Sequence, residues 1–537
     1  MNKKNSKTIY LNGKDLSIGD VINIAENGYK VDFPEKIKED IIKTRKRLDK
    51  QLIEHPEIKI YGTNLGCGDL KDKVITSESF KSYQIKYIKS HNCGTGNPLG
   101  IEVSRAIMVI RLNSFAIGLS AVRMETCQMM IDMLNAGLTP WILEEGSVGA
   151  SGDLIPLAMM GAVLIGFTEA KAYYNGELLS APEALKRAGL KPITLGAKEA
   201  MALTNGTNFM SAIGVFAVRD AELLLSNASI TSALSLEAIR GEKNAFSKLI
   251  NDNRPHKGQI FIAQQMRNLI KNSKRTTDES QIIRYPNQIK ETAKERVQDR
   301  YSFRAIPQVH GSVHEAIEKL RDVLTIEINS ATDNPLFFVD KNGYLQAKSG
   351  ANFHGQPLAT VIDYVKLSLT SLGLITDKRV FSLLDRYLNN GLPADLAYNH
   401  DKGDTGLMLT QYASAARAAE SRVLSTPASI MSVSTSANQE DFVSMGSIGV
   451  LHLRKIIYNT QIIVSVELLC ALRGLQMTFD QLPEDLRELG NGTSKIYKLL
   501  NEKLPSVKED QYLRSDMEIA INIIKSGELV DVISDLL

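Results

Sequence analysis

The chain is poor in the residues that mark a metal centre or a disulfide scaffold. Four cysteines, Cys67, Cys93, Cys127 and Cys470, are spread over 537 residues. They form no CxxC pair, so neither a zinc knuckle nor a disulfide framework is indicated, and a reducing compartment fits best. An excess of one charge is also missing. Lys and Arg number 63 against 61 Asp and Glu, a net +2, which is too weak a field to imply nucleic acid or an acidic membrane surface as partner. No uncharged apolar run approaches the roughly 18 to 20 residues that cross a bilayer. The basic start Met1-Asn2-Lys3-Lys4 leads into Thr8-Ile9-Tyr10-Leu11 without the apolar stretch of a signal peptide. These absences predict a soluble cytoplasmic protein with no membrane and no nucleic-acid partner. What is present, 43% hydrophobic and 23% charged residues, is globular composition and excludes a disordered or collagen-like chain.

Residues 8–33 carry short β-like runs broken by Asn12-Gly13 and Asn27-Gly28, and from Pro34 to about His55 Lys and Arg alternate with Ile and Leu as in a charged helix. Segments 102–136, 208–240, 313–328, 357–384 and 448–475 are apolar on nearly every face, which places helices in the middle of a bundle. Gly137 and Gly241 follow two of them as C-terminal stops, and Pro357 suits a first helical turn. Residues 389–404 and 425–441 are too poor in large apolar side chains for core helices and read as loops, where function concentrates. The runs 337–339 and 344–346 flank Asp340-Lys341-Asn342-Gly343, a hairpin signal. Shorter charged helices follow from about Gln481. The expected organisation is a small mixed α/β region at 1–101, a central helical bundle at 102–480 and a helical C-terminal layer at 481–537.

The most unusual stretch is Gly146-Ser147-Val148-Gly149-Ala150-Ser151-Gly152-Asp153-Leu154-Ile155-Pro156-Leu157. It has no Gly-Lys-Ser/Thr and not the spacing of a dinucleotide fingerprint, so phosphate is not indicated. A tight turn between helices accounts for the glycines. So does a chemical reading, in which a sharply bent Ala-Ser-Gly closes on itself, the Gly152 nitrogen attacking the Ala150 carbonyl and Ser151 dehydrating. Glycine at the attacking position lacks the Cβ that would obstruct closure, and small neighbours tolerate the bend. The product would be an electrophile that no ordinary side chain provides. Two other patterns carry less. His310 and His314 are four apart, but without an HExxH pattern or a third ligand no metal is expected. Gly94-Thr95-Gly96 before Pro98 lacks the strand and helix opening of a nucleotide site.

Gly149-Ala150-Ser151-Gly152-Asp153-Leu154, followed by Pro156-Leu157, resembles the signature of the ammonia-lyases that use 4-methylideneimidazole-5-one (MIO), the histidine and aromatic amino acid lyases. Tyr61-Gly62-Thr63-Asn64-Leu65-Gly66 is similar to that family's catalytic-tyrosine loop, Asn205-Gly206-Thr207 to its asparagine turn, and Gln298-Asp299-Arg300-Tyr301-Ser302-Phe303-Arg304 to its glutamine-tyrosine-arginine segment. Asn352-Phe353-His354 and Asn438-Gln439-Glu440-Asp441 resemble two later motifs, so the likeness runs in the family's order over residues 61–445. It implies a mainly α fold, a long central antiparallel helix bundle of the fumarase/aspartase kind with a small mixed N-terminal region. It also implies MIO formed from Ala150, Ser151 and Gly152, with no metal or nucleotide, near the N-terminal ends of several long helices. By resemblance Tyr61 is the leading general base; since an unperturbed phenol has a pKa of about 10, that role needs a site that stabilises phenolate, and helix N-termini are one source. Asn205, which alone would read as a turn, hydrogen-bonds the MIO carbonyl oxygen. Tyr301 is a proton-relay partner, Gln298 a hydrogen-bonder, Phe353 a pocket wall, and Arg304 a planar fork for the substrate carboxylate. The family assembles its sites from a homotetramer, with the MIO segment on one chain and the Arg304 and Glu440 segments on others.

Two places bear on the substrate. The Ser90-His91 pair resembles histidine lyases, where phenylalanine and tyrosine lyases tend to carry Phe-Leu or His-Leu. Glu440 stands where phenylalanine lyases typically have glutamine; a carboxylate suits an imidazole N–H, whereas a phenyl ring would leave a buried charge unpaired at a cost of several kcal/mol. Four positions depart from the histidine-lyase pattern: Cys67 for phenylalanine, Leu65 for threonine, Phe442 where histidine often follows Glu-Asp, and Met159 where histidine often precedes methionine. The resemblance thus implies elimination of ammonia from L-histidine to trans-urocanate, a small amino-acid substrate whose amine or ring meets the MIO while Tyr61 or Glu440 removes a β-proton. A phenylalanine or tyrosine lyase, a 2,3-aminomutase and a non-catalytic helical scaffold are the alternatives.

Overall fold

The computed structural model describes residues 7–68, 71–76, 79–277, 298–479 and 482–536. The chain opens with β1 (Thr8–Tyr10), α1 (Ile18–Ala25), β2 (Lys30–Asp32) and α2 (Glu35–Glu54), followed by α3 (Phe80–His91), β3 (Thr95–Pro98), α4 (Ile101–Ala116), α5 (Met124–Ala136), β4 (Thr139–Pro140), β5 (Leu143–Glu145) and α6 (Leu154–Leu164). A hairpin of β6 (Lys171–Tyr174) and β7 (Glu177–Ser180) leads through α7 (Ala181–Arg187) and α8 (Glu199–Thr204) to α9 (Asn208–Ala238). Next come α10 (Lys248–Asn251), α11 (Lys257–Leu269), α12 (Tyr301–Arg304), α13 (Ile306–Glu327), and the hairpin of β8 (Leu336–Val339) and β9 (Leu345–Lys348). The remaining helices are α14 (Gln356–Leu384), α15 (Met408–Leu424), α16 (Gly446–Phe479), α17 (Asn491–Lys503), α18 (Leu513–Ser526) and α19 (Glu528–Val532). The fold is mainly α. Its strands pair only in small sheets: β1 with β2 in parallel, and β3 with β5, β4 with β6 with β7, and β8 with β9 antiparallel.

The charged helix and the Asp340 hairpin lie where their patterns predict. Three local expectations are corrected. Residues 18–25, read as part of a β-like region, form α1. Ser17 and Asp20 close a capping box there, Asp20 N donating to Ser17 Oγ at 3.0 Å, and Ile18, Val21, Ile24 and Ala25 bury one helical face. Segment 102–136 is broken into α4 and α5 at a turn where Gly118 has φ +82° and Ala121 φ +52°. After α9 it is Arg240, with φ +58°, that takes the left-handed position, not Gly241. Gly241 is required for another reason: a Cβ there would lie 2.2 Å from the Leu236 side chain. Gly137 does end α5 as expected, with φ +77°.

The described residues form two compact units. The first comprises residues 7–216, Leu320–Asp363 and Pro427–Leu451, the second the described parts of Ala217–Lys319, Tyr364–Thr426 and His452–Leu537. Each buries charge. In the first, Lys198 Nζ pairs with Asp333, both side chains fully buried, and Glu199 accepts from Arg123 at 2.8 Å and Thr126 Oγ1 at 2.6 Å. In the second, fully buried Arg379 and Glu467 form a two-pronged pair at 2.6 and 2.9 Å, Ser235 Oγ donates to Glu467 at 2.7 Å, and Arg379 Nη1 donates to the Ser302 carbonyl at 3.1 Å. Such groups are tolerated in an interior because each ion meets a counter-ion and further hydrogen bonds. Helices α14 and α16 have the length and composition to cross a bilayer, but 89% of the most apolar stretch of α16 is buried within the protein, as befits a core helix.

Candidate active site

Residues 149–153 sit where four helices begin. The Gly149 carbonyl accepts from Ser444 Oγ at 2.7 Å and from Gly355 N, just before α14, at 3.1 Å. Met445 N, just before α16, donates to the Val148 carbonyl at 2.9 Å. Asp153, which precedes α6, is fully buried. Its Oδ2 accepts from Phe209 N and Met210 N, in the first turn of α9, at 3.1 Å each, and its Oδ1 from Ser147 Oγ at 2.9 Å and Ser447 Oγ at 2.7 Å. Burial pushes the Asp153 carboxyl up to about 6 despite these four donors. Helix starts carry unpaired amides and partial positive charge, so their convergence favours developing negative charge beside residues 150–152.

The tripeptide itself is held by two glycines. Gly152, with φ +75°, bridges in parallel to Gly206, with φ +154°, and Asp153 N donates to the Gly206 carbonyl at 2.7 Å. A Cβ on Gly152 would fall 2.3 Å from Gly206 N, so the close backbone approach requires glycine. The turn above is fixed by Arg111 of α4, fully buried, whose Nη1 donates to the Asn205 carbonyl and to Asn208 Oδ1 at 3.0 Å. A bend with no Cβ at its attacking residue, and with both flanks tied by hydrogen bonds, is the cradle that an Ala-Ser-Gly cyclisation needs. The residues present fit an MIO formed in place.

Around this bend the structure brings together Tyr61, His91, Ser151 and Glu440. Ser151 Oγ donates to Glu440 Oε1, and Thr435 Oγ1 donates to Glu440 Oε2 at 2.9 Å. Glu440 therefore approaches Ser151 of its own chain, which corrects the expectation that its segment comes from a neighbour. The Tyr61 hydroxyl accepts from Gly68 N at 3.0 Å, and Lys71 Nζ ties that loop to Gln439 Oε1 at 2.7 Å. Burial, opposed by the Gly68 amide, holds the Tyr61 phenol above its usual value, and the charge of nearby Glu440 adds to the rise. His91 ends α3, half-buried. Its ring stacks on Tyr87 with centroids 3.9 Å apart, and its Nδ1 lies 2.8 Å from the Tyr87 carbonyl. A carbonyl only accepts, so Nδ1 carries the proton and Nε2 is left as an acceptor. Burial lowers the His91 pKa, while the Tyr87 carbonyl and Glu440 work against that. Asn205 is buried at the end of α8, beside the Gly206 bridge. Phe353 is half-buried in the turn that delivers Gly355 to the Gly149 carbonyl.

The other three expected residues belong to the second unit. Gln298 is exposed; Tyr301 is 74% exposed on α12; and the Arg304 guanidinium lies over the Tyr301 ring at 4.7 Å. The four departures have distinct surroundings. Tyr83 OH donates to Cys67 Sγ at 3.2 Å, and burial pushes the Cys67 thiol up to about 11, so it stays protonated at neutral pH. Met159 Sδ accepts from Leu143 N at 3.5 Å, Leu65 bridges to Val74, and Phe442 is 56% exposed, its carbonyl 3.2 Å from His354 Nε2. Sequence reasoning missed Tyr83 and Tyr87, although the i, i+4, i+8 spacing Tyr83, Tyr87, His91 on one helical face was a readable signal. Thr435, Ser444 and Ser447 gave none, being ordinary hydroxyls in polar stretches. His310 and His314 both lie on α13; His310 is buried with its Nδ1 3.1 Å from Ser229 Oγ, and His314 packs on Phe261.

Residues 16–502 match the aromatic amino acid lyase family. The chain is 42% identical over 524 residues to histidine ammonia-lyase 2 of Fusobacterium nucleatum, covering 98% of each chain. Its fold superposes on the crystal structure of histidine ammonia-lyase from Trypanosoma cruzi with a TM-score of 0.86 at 32% identity, covering 99% of this chain and 96% of that one. It superposes equally well on tyrosine aminomutase from Streptomyces globisporus, with a TM-score of 0.87 at 32% identity and coverage of 99% and 98%. With a family match over residues 16–502 and likeness to its relatives over nearly its whole length, the chain belongs to the aromatic amino acid lyase family.

Proposed function

We propose that this enzyme is a histidine ammonia-lyase, which eliminates ammonia from L-histidine to give trans-urocanate. The observation that carries the substrate assignment is Glu440 held beside Ser151, near enough to His91 for its charge to act on the imidazole. A carboxylate and an imidazole nitrogen lone pair both accept, which suits a substrate ring bearing N–H donors and penalises a phenyl ring. The naming of the Fusobacterium relative supports the same substrate. When formed from Ala150, Ser151 and Gly152, MIO supplies an electrophile for the substrate amine or ring.

The chain's own groups do the rest. Arg304 offers a two-pronged site to the substrate carboxylate, Gln298 a further hydrogen bond, and Phe353 a wall against the ring. Asn205 is the residue whose side-chain amide would hold the imidazolone oxygen. Tyr61 or Glu440 takes the β-proton, and Tyr301 relays protons. Since burial, with nearby Cys67 and Glu440, raises the Tyr61 phenol, its use as a base depends on the positive ends of α6, α9, α14 and α16. Gln298, Tyr301 and Arg304 lie outside the unit that holds the bend, and we infer that a homotetramer supplies them to its neighbours' sites. Leu367 and Phe381 on α14 and Leu409, Tyr412 and Val423 on α15 are exposed apolar groups that such an assembly would cover. All four cysteines are free, in keeping with the cytoplasm.

A substrate panel with purified protein tests the reading. Histidine is expected to yield urocanate, recognised by its absorbance; consumption of phenylalanine or tyrosine alone, or appearance of a β-amino acid, would replace it with one of the sister activities. Intact mass should fall short of the encoded chain by two water molecules, and Ser151→Ala should abolish both that deficit and turnover.

A further inference from the structure

We propose that Tyr83 is a positioning residue for the reaction: its hydroxyl, bonded to Cys67, fixes the tyrosine loop so that the Gly68 amide meets the Tyr61 oxygen at a set place relative to His91. The inference rests on the reading of Tyr61 as base and adds the side chain that holds it there. The near limb of the loop is secured by its own groups. Thr63 N, Asn64 N and Leu65 N donate to the Ile60 carbonyl at 3.1, 3.2 and 3.2 Å, and the Asn64 side chain accepts from Ile60 N at 2.7 Å and donates to the Ile58 carbonyl at 2.6 Å. The far limb turns back at Gly68, with φ +57°, where the Gly68 amide donates to the Tyr61 oxygen at 3.0 Å. That amide belongs to the peptide unit joining Cys67 to Gly68, and Cys67 Sγ is where α3 reaches this limb, accepting from the Tyr83 hydroxyl at 3.2 Å. A Cβ at Gly62 would lie 3.6 Å from Cys67 Sγ, so the thiol folds back against the turn that carries Tyr61. A shift of Cys67 therefore shifts the donor to Tyr61.

Helix α3 makes this anchor common to the base and the ring acceptor. Tyr83, Tyr87 and His91 share one face over about 12 Å of helix axis. Their rings form a column, with centroids 6.2 Å apart for Tyr83 and Tyr87 and 3.9 Å for Tyr87 and His91. Beside them buried Gln84 accepts from Ala200 N of α8 at 2.7 Å, and α8 ends at Asn205. The helix that presents His91 thus also sets Tyr61. Burial holds the Tyr83 phenol far above its usual value and the Cys67 thiol at about 11, so neither ionises near neutral pH and the contact persists across a pH profile. Of the charged and titratable groups about Tyr61, Cys67 and Glu440 raise its pKa and the Gly68 amide lowers it; Lys198 acts on Cys67, and the Tyr83 and Tyr87 phenols stay neutral. Losing the amide should raise the Tyr61 phenol further. The pair also gives meaning to a departure: Cys67 stands where phenylalanine is usual in histidine lyases, and here the helix supplies the aromatic ring instead.

Ammonia release as a function of pH tests this, with histidine or whichever amino acid the panel shows to be consumed, and with rates expressed per matured chain by intact mass. Tyr83→Phe removes the hydroxyl and keeps the ring. It is expected to lower kcat several-fold with KM near native and to move the acid limb of kcat/KM to higher pH. Cys67→Ala should do the same, the double variant should be no worse than either single one, and Cys67→Ser, which keeps an acceptor for Tyr83, should retain the native limb. A contact that served stability alone would leave the limb in place. Native kcat and limb in Tyr83→Phe, or losses that multiply in the double variant, overturn the proposal. Tyr61→Phe separates the two levels: if it is inactive while Tyr83→Phe is native, the proposal alone falls, whereas a Tyr61→Phe enzyme that still turns over brings down the base assignment and the proposal with it.

Discussion

Two glycines allow the contact at the bend to be weighed separately from backbone strain. Gly206 has φ +154°, and an added Cβ would meet Arg111 Nη1 at 2.2 Å, Asn208 Oδ1 at 2.5 Å and Thr332 Oγ1 at 2.8 Å. None can withdraw cheaply, because Arg111 is fully buried and its Nη1 holds both the Asn205 carbonyl and Asn208. The dihedral penalty is of order 1–3 kcal/mol and forced repacking adds about 1–3 kcal/mol. Gly206→Ala should therefore cost about 4 kcal/mol, a large part of the ~5–15 kcal/mol that holds a typical domain folded. Gly137 also has positive φ, at +77°, but a Cβ there would meet nothing within 4 Å, so Gly137→Ala should cost only the left-handed penalty, roughly 1–2 kcal/mol. Urea unfolding of the two variants beside the native protein, compared at equal m-value, reads the difference. An excess of about 2–3 kcal/mol for Gly206→Ala is expected. Equal costs would refute the claim that the Asn205 turn is wedged between Arg111 and the tripeptide.

Two further outcomes follow from the buried charges. Asp153 titrates at about 6 when folded against an ordinary 3.8; the folded state holds that proton more tightly, so its contribution is full below about pH 4 and is lost as pH rises through 6, about 3 kcal/mol in all. The stability of the native protein relative to Asp153→Asn, by urea titration from pH 4 to 8, should thus fall with rising pH; a flat or rising difference would mean the four donors outweigh burial. Arg379→Met leaves Glu467 buried and unpaired and should cost about 3–5 kcal/mol, most of it recovered when Glu467→Leu is added. A small cost for the single change, measured by thermal unfolding, would show that water reaches that pair.

Part of the candidate site was legible because it combines residue types that are rare together. The run Gly149 to Leu154 and the asparagine turn lie against each other, and Tyr61, His91 and Glu440 converge on them. The long helices α9, α14 and α16 also lie close to their expected spans, since an all-round apolar pattern has few other solutions. Reading failed where tertiary context outvoted local type. Residues 18–25 fall within the β-like region, where the local Ser17 and Asp20 cap went unread and decides for helix. Arg240 holds a conformation that glycine would be expected to take, next to a glycine needed for space alone. Arg111, Lys198, Asp333, Arg379 and Glu467 are residue types that ordinarily face water, and only the fold reveals the partners that let them be buried. The same-chain approach of Glu440 to Ser151 spans 289 residues, a separation that no local pattern encodes.

The hydrogen bond from Ser444 to the Gly149 carbonyl joins residues 295 apart, and Gly355 meets the same carbonyl. The restraint on Gly149 is accordingly a late event in the life of the molecule. A nascent chain that has emerged only as far as α13 contains Ala150, Ser151 and Gly152 but neither of these restraints. It also lacks the carboxylate of Glu440. The order of synthesis thus acts as a timer: residues 150–152 stay a loosely held peptide until nearly the whole polypeptide is present to enclose them.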